Sequence, residues 1–204
     1  MNTARTYWDQ NAKHYDRSMR VFGGPIPPML DRVAREVAGA KDVLELAAGT
    51  GIVTEVLARS ADHVLATDYS PAMLAMLERK LRADGLANVT VAQADIGALD
   101  FADGRFDAVV AANVLHLVPD LGAALRSMAR VVRPGGVLVV PTYCHAETAV
   151  ARIASRALAL TRFPGRRRLT LEELTRAVRD AGLTVTTREL LPGLLPIGFV
   201  SARP

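Results

Sequence analysis

The chain has 204 residues, half of them hydrophobic, which suffices for one well-buried domain and is too little for two large ones. It carries 25 basic and 21 acidic side chains for a formal net charge of +4. Cys144 is its single cysteine, so a disulfide framework and a cysteine-rich metal site are excluded, and no metal is expected.

The N-terminus lacks the apolar core of a signal peptide, and no apolar run approaches the length that crosses a bilayer, so a cytoplasmic protein is expected. Residues 1–150 hold 15 basic and 17 acidic side chains, whereas residues 151–204 hold 10 and 4. Much of that excess sits at Arg162, Arg166, Arg167 and Arg168, with few aromatics interleaved. Arginine supplies 22 of the 25 basic residues, so compositional bias explains the charge better than a nucleic-acid patch, and no nucleic-acid partner is expected.

In chain order, helix and strand patterns alternate with little linker between them. Residues 28–38 read as a helix and 43–46 as the first strand, with a helix at 52–60 after it. A second strand at 64–66 runs on to Asp68, and Ser70-Pro71 opens a helix with Ser70 as N-cap and Met73, Leu74, Leu77 and Leu81 as its apolar stripe. Residues 89–93 form a third strand leading to Asp95, and 106–112 an apolar fourth. The spacing predicts a helix over 120–132 closed by Arg133-Pro134-Gly135-Gly136, then a fifth strand at 137–140. Helices follow at 146–161 and 170–181, the second with Thr170 and Glu173 as a capping box. Residues 183–190 and 197–202 are β-rich, and the short connection between them predicts a final antiparallel strand.

This pattern predicts an α/β, Rossmann-like doubly wound fold with a mostly parallel seven-stranded sheet and an antiparallel C-terminal strand. One domain is expected over 1–204. Its parts are an N-terminal lid and helices at 1–40, a cofactor-binding core at 41–144, a substrate cap at 145–169, and a C-terminal helix and hairpin at 170–204.

Residues 42–51, Asp-Val-Leu-Glu-Leu-Ala-Ala-Gly-Thr-Gly, carry the most information. A strand runs into a turn in which Ala47, Ala48, Gly49, Thr50 and Gly51 let a ligand lie against bare backbone, and the next helix offers its N-terminal N–H groups. A dinucleotide site needs a third glycine at fixed spacing, which is missing here. Glu45 beside the turn would repel a pyrophosphate but can hold a cationic amino-acid moiety.

On these residues the chain resembles the class I S-adenosylmethionine-dependent methyltransferases, especially their small ubiquinone-biosynthesis-like (methyltransferase type 11) branch. The resemblance runs from Tyr7 to about Val200. Residues 43–51 match the family's glycine-rich first motif, with Ala47 where glycine is usual and Ala48 where cysteine or alanine is common. Thr67-Asp68-Tyr69-Ser70-Pro71-Ala72-Met73-Leu74 is similar to the second-strand acidic motif and Ala94-Asp95-Ile96 to the third. Phe106-Asp107-Ala108-Val109-Val110 and Arg133-Pro134-Gly135-Gly136-Val137-Leu138 resemble the fourth and fifth.

The resemblance implies S-adenosylmethionine as cofactor, with Asp68 on the ribose hydroxyls, Asp95 at the adenine amino group, and Ile96 and Met73 on the ring faces. Tyr69 follows the ribose acid, and Asn113 is placed near the methionine part. Tyr7-Trp8-Asp9 and His14-Tyr15-Asp16 are similar to a segment that covers the cofactor, with Tyr15 the preferred contact.

A sulfonium methyl is already activated, so transfer needs an aligned acceptor and excluded water, and a base only if the acceptor must lose a proton. Acceptor contacts are expected past the C-terminal ends of the fourth and fifth strands. His116, Tyr143 and His145 are therefore the catalytic candidates, with Thr142 beside them and Phe163 and Pro164 at the mouth. Asn113-Val114-Leu115-His116 is unlike the Asn-Pro-Pro-Tyr type of nucleobase and glutamine enzymes, and Cys144 lacks the context of an RNA cytosine enzyme. A small-molecule methyl acceptor is expected. An RNA or protein acceptor, or a non-catalytic binding domain of the same build, is the alternative.

Overall fold

The computed structural model describes residues 7–9, 24–159, 165 and 167–204. Tyr15, His14 and the pair Phe163 and Pro164 lie outside the described residues.

Helix α1 (Ile26–Val37) buries Met29, Val33 and Val37, one residue per turn along a single face. It leads into β1 (Asp42–Leu46), α2 (Thr54–Ser60) and β2 (His63–Asp68). Next come α3 (Pro71–Asp84), β3 (Val89–Gln93) and β4 (Phe106–Val110). Ser70 caps α3 as expected, its hydroxyl accepting from the Met73 N–H at 3.2 Å. Helix α4 (Leu121–Val131) is capped by Asp120 and is followed by β5 (Val132–Val139) and the two-residue β6 (Thr142–Tyr143). Then come α5 (Ala149–Ala159), α6 (Leu171–Asp180) with the full Thr170–Glu173 capping box, β7 (Thr184–Leu191) and β8 (Ile197–Arg203).

The strands lie in the order β3-β2-β1-β4-β5-β8, with β7 on the outer edge of β8. β1 to β5 pair in parallel, and β8 alone runs against its neighbours. β5 and β6 occupy one position end to end. Their partners on β8 fall in step from Leu138↔Ala202 to Tyr143↔Ile197, and the Val140 N–H donates to Val200 C=O at 2.9 Å between them. Pro141, which has no N–H, marks the interruption. The expected seven-position sheet with a single antiparallel strand is the one observed.

Each face of the sheet has its own core. Leu44, Leu46 and Val109 pack with α4 and α6, whereas Val43, Ala108 and Val110 pack with α1, α2 and α3. This period-two division makes the fold doubly wound.

Two boundaries differ from the expected ones. Arg133-Pro134-Gly135-Gly136 lies inside β5 and does not close a helix: pairing with β4 slips between Phe106↔Val132 and Ala108↔Val137, so the four residues form a bulge. α5 starts at Ala149 and not at 146, because the Thr148 hydroxyl accepts from the Ala151 N–H at 3.0 Å and caps it there.

The bulge depends on Gly136. A Cβ there would stand 2.6 Å from the Asp107 carbonyl oxygen and 2.8 Å from Val132 Cγ1. Backbone on one side and a core side chain on the other leave no room to yield. Gly136→Ala is expected to lower unfolding stability by about 2 kcal/mol, read from the denaturant midpoint at unchanged slope.

Candidate active site

The chain leaves β1 at Leu46 and turns sharply. Ala47 takes φ +57°, Gly49 +57° and Gly51 +93°. Glycine adopts such angles without strain; alanine does not. Gly51 is required on a second ground, since a Cβ there would meet Leu77 Cδ1 at 2.5 Å. The Ala48 N–H donates to the Thr67 carbonyl at 2.9 Å, tying the turn to the end of β2.

Asp68 completes that tie. One carboxylate oxygen accepts from the Gly49 N–H at 2.9 Å and the other from the Ser70 N–H at 2.8 Å. Burial raises its pKa, and these backbone donors act in the opposite direction. The Ser70 hydroxyl in turn donates to Asp9, which fixes the described N-terminal residues over the start of α3.

A cavity of about 210 Å³, room for several water molecules, opens at the C-terminal ends of β1, β2 and β4. Ala47 and Gly49 border it, with Asp68, Tyr69 and Met73 at the end of β2. Asp95 and Ile96 follow β3, and Asn113 follows β4. Eight of the expected cofactor residues thus converge on one cavity. Asn113 is strained, at φ +54°, and its buried Oδ1 has no hydrogen-bond partner. An unsatisfied buried acceptor beside a cavity is open to a hydrogen-bond donor from outside the chain.

Glu45, Ala48, Thr50 and Gly51 do not line the cavity. For Glu45 this corrects the expectation that its carboxylate faces the ligand. Alternation along β1 puts Glu45 on the same face as Val43, toward α2, and Leu46 on the cavity side. Glu45 is 2% exposed and accepts from the Thr54 hydroxyl at 2.6 Å. Burial pushes its pKa up to about 8, aided by the nearby Asp68 and opposed by the Thr54 bond. It is therefore a buried structural group whose protonated form the fold favours.

His116, Tyr143 and His145 do come together, but none of the three lines the cavity. Their rings lie 5.1 to 6.1 Å apart between centroids, and all three are buried. His116 shares a hydrogen bond with the Thr142 hydroxyl at 3.1 Å. Burial, and then the neighbouring His145, hold the His116 pKa down to about 3; burial and Arg168 lower that of His145. The turn after β4 presents Asn113, Val114, Leu117, Val118 and Pro119 to the cavity and directs His116 away. Neither ring nitrogen of His145 has a partner.

Leu117, Val118 and Pro119 are cavity residues that the motifs did not single out, and Trp8, from the segment similar to a cofactor cover, lines the cavity with them. The available signal was the apolar run over 114–119 at a strand's C-terminal end, broken only by His116.

Comparison with known proteins agrees with this geometry. The "Methyltransferase domain" family model matches residues 44–140. The demethylmenaquinone methyltransferase of Corynebacterium urealyticum is 38% identical over 141 residues, covering 68% of this chain and 58% of that protein. The complex of DhpI with SAH superposes with a TM-score of 0.75 at 26% identity, over 99% of this chain and 95% of that one. A Haloferax volcanii methyltransferase crystallised with its Trm112 activator shares the fold, with a TM-score of 0.81 at 18% identity over 97% of both chains. The chain belongs to the class I S-adenosylmethionine-dependent methyltransferases. It spans just under three fifths of the length of the curated relatives it matches.

Two outcomes follow from the turn. Ala47→Gly is expected to raise stability by about 1 kcal/mol by relieving the left-handed alanine, with affinity for S-adenosylhomocysteine unchanged or tighter by calorimetry. Glu45 has a folded pKa above its unfolded one, so its contribution to stability is complete in acid and disappears as pH rises through about 8. Between pH 7 and pH 9 the ligand-free protein should lose about 1 kcal/mol through this group. Glu45→Gln, which mimics the protonated acid, should remove that loss in urea titrations at the two pH values.

Proposed function

We propose that this chain binds S-adenosylmethionine in the cavity between Ala47, Asp68, Asp95 and Asn113 and transfers its methyl group to a small, largely apolar acceptor. The observation that carries the proposal is the convergence of two acids, a left-handed turn and an unsatisfied buried acceptor, Asn113 Oδ1, on one space. Asp68 has lone pairs left after binding Gly49 and Ser70, and two of them suit vicinal ribose hydroxyls. Asp95 already accepts from the Gly97 N–H at 2.8 Å, which steadies its carboxylate for an exocyclic amine. Met73 and Ile96 offer apolar surface to a purine. Asn113 Oδ1 and the backbone at Ala47 and Gly49 suit the ammonium and carboxylate of the amino-acid end.

The bound sulfonium supplies a methyl group already activated for in-line displacement. What the chain contributes is alignment and dryness, and positioning alone is worth roughly 7–11 kcal/mol. Among the described residues lining the cavity only Asp68, Tyr69 and Asp95 titrate, and the cofactor occupies the two acids. The site therefore suits an acceptor that needs no strong base from the protein. Trp8, Leu117, Val118 and Pro119 line the remainder, which suits an apolar or aromatic molecule. The Corynebacterium relative is named a demethylmenaquinone methyltransferase, which favours the same kind of acceptor.

Asp68→Ala is expected to weaken S-adenosylhomocysteine binding by about 10- to 100-fold, as loss of hydrogen bonds to a charged group does, with the circular dichroism spectrum retained. Absence of calorimetric binding of both S-adenosylmethionine and S-adenosylhomocysteine to the wild-type chain would refute the proposal. Methyl transfer to RNA but to none of a panel of phenols and quinols would overturn the acceptor class.

A further inference from the structure

Helix α5 is turned inside out. Its inward positions are Ala151, fully buried, and Ser155, 7% exposed, whereas Val150 and Ile153 stand 58% and 67% exposed. Among the described residues, only Leu194 is a comparably exposed large hydrophobic side chain. Val150, Ile153 and Ala157 follow one another at helical spacing, so they form one outward strip. Arg152 and Arg156, one turn apart and both exposed, run along one side of it. The helix carries no acid. From Thr148 to Leu171 the chain contains six arginines and no acidic residue.

An aliphatic strip facing water costs free energy and calls for a covering partner. A second copy of the chain meeting this one helix to helix would bring the same arginines against each other, which opposes self-pairing. A nucleic acid would satisfy the arginines but would meet valine and isoleucine where it uses aromatic stacking. An anionic bilayer satisfies both features, with the aliphatic strip in the acyl boundary and the guanidinium groups at the phosphates.

We infer that α5 is a docking surface for membranes containing anionic phospholipid. Beyond the helix, the chain returns to the cavity rim. The Arg167 N–H donates to the His116 carbonyl at 3.0 Å and its guanidinium to the carbonyl of Pro119, a cavity residue. Docking through α5 therefore engages the bilayer with a helix that ends eight residues before Arg167, which is bonded to the cavity rim.

Co-sedimentation of the full chain with phosphatidylcholine vesicles, with and without phosphatidylglycerol, tests this. Binding is expected only to the phosphatidylglycerol vesicles and should weaken with added salt. The double variant Val150→Glu, Ile153→Glu should bind about tenfold less or worse, while Leu194→Glu binds as the wild type. All substituted residues are exposed, and an unchanged melting temperature checks the fold. No binding of the wild type to anionic vesicles, or equal binding by the double variant, overturns the inference. So does a dimer or an RNA complex that the same double variant abolishes in the absence of any lipid binding. The readout is lipid association and not turnover, so its failure leaves cofactor binding and methyl transfer untouched.

Discussion

The buried carboxylate of Asp68 is the joint on which the site depends. It sits at the end of β2, yet one oxygen takes the N–H of Gly49 from the turn after β1 and the other the N–H of Ser70 at the start of α3. Two successive strand-to-helix crossings are thereby locked to each other at the edge of one cavity. Burial raises its pKa, and the backbone donors that surround the carboxylate oppose that effect. The same ties aim it. Ser70 adds a third connection by donating to Asp9, so the described N-terminal residues are held by the same few atoms that set this end of the cavity.

Strain concentrates where that joint opens to the ligand. Ala47 and Asn113 are the two non-glycine residues at positive φ among the described residues; they follow neighbouring strands, β1 and β4, and both line the cavity. Each such residue costs on the order of 1–3 kcal/mol. The surroundings hold them there: the Asn113 N–H donates to Pro141 C=O at 2.7 Å, and the Ala48 N–H to Thr67 C=O at 2.9 Å. Backbone forced into this shape presents atoms to a ligand that a relaxed strand end would point elsewhere.

The architecture was legible in the sequence because its signals are local. Apolar runs, the Ser70-Pro71 cap and the Thr170–Glu173 box each report on a few neighbouring residues, and the helices and strands they announce are present. The cavity was legible in part. Asp68, Asp95 and Asn113 follow strand ends in a parallel sheet, and such positions converge whatever the loops do. Glu45 was misplaced because being near the turn in sequence is not facing the ligand, and alternation along a five-residue strand decides the difference. The histidines were misplaced for a related reason. The turn at 113–119 is tight, so consecutive residues diverge, and no sequence period announces which of them face the cavity. The bulge at Arg133-Pro134-Gly135-Gly136 was hidden because Pro-Gly pairs signal a break without saying whether it lies before or within a strand.

Glu45 links the core to the turn. A charged carboxylate beneath the turn would stand near Asp68, and that repulsion adds to the larger effect of burial in raising the pKa of Glu45. The Thr54 hydroxyl opposes both by donating to the carboxylate. Glu45 does not line the cavity, yet through the Thr54 hydroxyl it fastens the helix that follows the turn to the strand that precedes it, so the core side of the turn is held by this one hydrogen bond.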